Sequence, residues 1–103
     1  MSAETVRLAE ELQKKHGLSP AILFQRVVVL RNWEYLKANA ESDSNSQKAQ
    51  IEIDALHAEL LSAITSYGGV GVVDKWLTEH DNHQLPRNVA GVDWSFLPEN
   101  LRP

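Results

Sequence analysis

Ile53, Leu56, Leu60, Ile64 and Tyr67 recur at spacings of 3, 4, 4 and 3. An α-helix turns once every ~3.6 residues, so this spacing stacks the five side chains into one stripe; a strand would need alternation instead. The helix they define predicts a core that other helices must cover, and the rest of the chain is punctuated to supply them. Ser2 can cap a first helix over residues 2–16, with Glu4 in the acidic first turn and Lys14, Lys15 and His16 at the negative end. Val6, Leu8, Ala9 and Leu12 form its apolar stripe, and Gly17 stops it. Ser19-Pro20 opens a second helix over 19–39, with serine as cap and proline at the first helical position. Ile22, Leu23, Phe24, Val27, Val28, Leu30, Trp33 and Leu36 cover a wide arc of it, as expected of a helix touched on more than one side.

The polar stretch "ESDSNSQ", residues 41–47, predicts a loop or the tip of a hairpin, and Ser44 with Gln47 fits a capping box for the third helix over 44–67. Gly68-Gly69 breaks the chain. Val73, Trp76, Leu77 and His80 then sit at i, i+3, i+4 and i+7 in a fourth helix over 70–81. Beyond it Pro86, Gly91 and Pro98 prevent a long regular element, leaving an arm over 82–103. The fold expected is all-α: one compact four-helix, bundle-like domain with an extended C-terminal arm.

Charge narrows the partners. The net charge is −4, divided as +2 over residues 1–40, −5 over 41–80 and −1 over the remainder. Non-specific binding to nucleic acid or to anionic membrane needs an excess of Lys and Arg, so both are disfavoured. No apolar run approaches the ~20 residues of a membrane span. The N-terminus lacks the apolar stretch of a signal peptide, and the chain has no cysteine. A cytoplasmic setting is the expectation.

Motifs that would carry chemistry are incomplete. His80 and His83 have metal-ligand spacing with Glu79 and Asp81 alongside, but histidine also suits a helix C-terminus and no H-E-x-x-H is present. Asp54 and His57 at i, i+3 are one altered half of the paired motif a di-iron bundle requires. Residues 43–54 echo a calcium loop, yet Lys48 occupies the position of its turning glycine. "GGVGVV" completes neither glycine-rich phosphate signature, and no G-x-S-x-G supplies a nucleophile. No cofactor, metal or catalytic residue is predicted.

Two readings of function remain. In the first, this is a non-catalytic binding protein of regulator, adaptor, immunity or inhibitor type, a kind of small acidic protein that phages and mobile elements often carry. Its acidic third and fourth helices, with Glu52, Glu59 and Asp74, would face a basic protein. Trp94, Phe96 and Leu97 in the arm would dock on the bundle itself, the favoured outcome, or anchor a partner or a second copy of the chain. The alternative is a dimeric DNA-binding regulator: residues 9–31 resemble a helix-turn-helix, with Lys14, Lys15 and Arg31 on phosphates and Gln25 and Arg26 able to read base edges.

Overall fold

A computed structural model describes residues 2–80 and 92–103. Four helices follow one another: α1 (Ala3–His16), α2 (Pro20–Ala38), α3 (Asp43–Tyr67) and α4 (Val70–His80). Two single 3-10 turns, Trp94–Phe96 and Glu99–Leu101, close the chain, and no strand occurs among the described residues. The chain is all-α.

The caps account for the boundaries. Ser2 accepts a hydrogen bond from the Thr5 N–H, and Ser19 accepts one from Ile22. Ser42 does the same for Asn45, so α3 begins earlier than the expected Ser44 cap. The polar stretch is thus mostly the first turn of α3, with Asp43 favourably placed at its positive end. Because residues 43–54 are helical, they do not form a calcium loop. At the other end Gly68 has φ +97, and the N–H groups of Gly68 and Gly69 return to the Thr65 and Ile64 carbonyls at 3.2 and 3.0 Å. That paired closure satisfies orphan carbonyls and needs a residue free to turn left-handed.

A short link makes α2 and α3 neighbours in an antiparallel hairpin, and theirs is the most extensive helix–helix contact. α2 also meets α1 and α4, as its wide apolar arc predicts. Leu23, Val27 and Leu30 of α2 pack with Ile53, Leu56, Leu60 and Ile64 of α3, and Val70, Val73 and Leu77 of α4 complete the layer. The arm supplies Val92, Leu97 and Leu101 to the same core. Leu101 lies beside Gly69: a methyl group built on that glycine would stand 3.6 Å from the Leu101 carbonyl oxygen.

The core is confined to one end of the hairpin. No residue of α2 after Leu30 is buried, and none of α3 before Ala49. Tyr35, Leu36 and Ile51 are therefore left 68%, 52% and 68% exposed, although Leu36 belongs to the predicted apolar arc. The molecule is correspondingly long, 47 × 25 × 22 Å. α1 is thinly attached. Its only buried residue is Thr5, and Val6 of the expected stripe is exposed. Its C-terminal end is tied down instead: His16 stacks on Tyr67 at 3.9 Å and hydrogen-bonds Ser66, while the Tyr67 hydroxyl donates to the Leu18 carbonyl at 2.6 Å.

Candidate functional site

The arm is built into the fold. Leu97 is 1% exposed, and Trp94 and Phe96 are half-buried against the core cluster. The Asp93 side chain caps the first 3-10 turn by accepting from the Ser95 N–H at 3.0 Å, which aims Phe96 back at α3. There Phe96 stacks on His57, with centroids 4.1 Å apart and planes 10° apart. Arg102 donates to the Leu97 carbonyl and holds the end of the arm. Of the three aromatic and aliphatic residues predicted as partner anchors, Leu97 is thus fully enclosed by its own chain. Trp94 and Phe96 each keep one part of their surface in contact with solvent.

Docking of the arm closes one side of an open cleft of 440 Å3, lined by Glu34, Lys37 and Ala38 of α2, Gln50, Ile53 and His57 of α3, and Asp93. Glu34 Oε1 is shut off from water and makes no hydrogen bond among the described residues. Burial pushes the Glu34 carboxyl above the usual carboxylate range; the Asp93 backbone N–H opposes this, the Asp93 carboxylate adds to it, and Arg31 opposes it. Burial likewise pushes the His57 imidazole down, against the attraction of the Asp54 and Asp93 carboxylates. Asp93 itself is held below its ordinary value by the Ser95 backbone and side chain. Lys37 also lines the cleft, and its ammonium donates to the Gln50 side-chain carbonyl. Gln50 in turn donates to Asp54 at 2.7 Å. The sequence signals none of this grouping beyond the i, i+3 relation of Asp54 and His57. Glu34 and Asp93 are far apart in the chain and meet only because the arm returns.

The charged residues singled out from sequence are dispersed. Glu52 is exposed on α3 and Asp74 is half-exposed on α4. Glu59 accepts a hydrogen bond from the Arg26 side chain at 3.0 Å, both side chains being a little over two-fifths exposed. A predicted acidic contact and a predicted base-reading arginine therefore engage each other. Gln25, Lys14 and Lys15 are exposed, and Arg31 is half-buried. The α1–α2 turn is made by Gly17 at φ +86.

His80 stacks on Trp76 at 4.6 Å and its Nδ1 lies 3.1 Å from the Trp76 carbonyl, a terminal helix contact; His83 lies outside the described residues. Among the described residues no three metal-binding side chains converge. None of the described helices is long and apolar enough to cross a membrane. A second open cleft, 380 Å3, lies at the hairpin tip between Trp33, Leu36, Asn45 and Lys48. No protein-family model matches this chain, and neither the curated proteins nor the solved structures yield a match.

Proposed function

We propose that this is a non-catalytic binding protein whose acidic α3–α4 surface receives a basic protein partner, in the manner of a regulator, adaptor or stoichiometric inhibitor. One observation carries the reading. Of the seven acids between residues 41 and 80, six are exposed and Asp74 is half-exposed, against only Lys48 and Lys75. A field of one sign on one part of a small protein speeds encounter with a partner of opposite charge and rejects partners of like charge. The pairing of Arg26 with Glu59 reduces the positive charge that the DNA reading would require on α2 and leaves six of the seven acids to the proposed surface.

The test is affinity capture with the intact chain and with a Glu52→Lys/Glu79→Lys variant, both positions being exposed on helix surfaces. The expected result is a specific basic protein lost from the reversed bait. Its measured association rate with the intact chain should fall steeply with added salt. A captured protein that binds both baits at the same rate, or that is itself acidic, defeats the reading.

A further inference from the structure

We draw no further inference here: the strongest candidate, the open apolar cleft at the tip of the α2–α3 hairpin between Trp33, Leu36 and Ala49, is an unpartnered face, and nothing in the structure shows what covers it.

Discussion

His57 on α3 and Phe96 in the C-terminal arm lie face to face, 4.1 Å between ring centroids, with their planes within 10° of parallel. The imidazole is thus the plate on which the arm rests, and its protonation state bears on whether the arm stays down. Burial holds the folded pKa below the ordinary value. The neutral ring is the form the fold prefers, so its stabilisation is present above about pH 6.5 and is lost as pH falls through the folded pKa. Tracking the His57 ring signals against pH should give a midpoint below that of a free histidine. Phe96→Ala should raise it, since removing the stack re-exposes the ring.

Glu34 has the opposite sign. Its carboxyl is pushed up by burial, so the fold is most favourable with the acid protonated and loses stability as pH rises through its raised pKa. At neutral pH Glu34→Gln removes that cost, discounted because the side chain remains partly in contact with water. The expected result is a Tm raised by roughly 2–5 °C at pH 7, shrinking toward zero in acid, where both chains are neutral at this position. Thermal melts across the pH range check it, and a lowered Tm at pH 7 would contradict a net burial cost at the Glu34 carboxylate.

Leu97 is the residue that commits the arm to the fold. At 1% exposure its truncation leaves a cavity, so Leu97→Ala should destabilise by about 2–5 kcal/mol in denaturant unfolding. For a chain with this modest a core that is a large part of the total stability. A neutral result would mean that the arm is undocked in solution and Leu97 free for a partner.

The Tyr67 hydroxyl, 2.6 Å from the Leu18 carbonyl, ties α3 to the turn that carries α1. Burial pushes this phenol up to about 12, so it remains a donor throughout the physiological range. Tyr67→Phe should cost about 1–2 kcal/mol by stranding the Leu18 carbonyl. With only Thr5 buried on α1, the effect should appear as faster amide exchange in α1 before it appears in α3. Exchange that accelerates equally in both helices would show that α1 opens only with the whole domain.

Arg26 provides a clean probe of the DNA alternative. Its ion pair with Glu59 is solvent-exposed and worth about 0–1 kcal/mol, so Arg26→Ala should leave Tm nearly unchanged. Labelled duplex is expected to remain unbound by the intact chain even at low salt. Binding that appears at low salt and weakens in Arg26→Ala would favour the helix-turn-helix reading.

Sequence alone determined the helices, because caps, breakers and periodicity act within a few residues of one another. The stripe from Ile53 to Tyr67, the Ser19-Pro20 start and the Gly68-Gly69 stop are all where local chemistry puts them. Ser44 misplaced the start of α3 because two serines compete for one cap, and the one whose hydroxyl meets Asn45 N–H is Ser42. Tertiary structure decided the rest. Periodicity shows that Leu36 lies on an apolar arc, but not that the core ends before reaching it. Apolar content shows that Trp94, Phe96 and Leu97 seek cover, but not whose. Glu34, His57 and Asp93 share a cleft only because the arm folds back over the α2–α3 hairpin, a meeting that no local signal can encode.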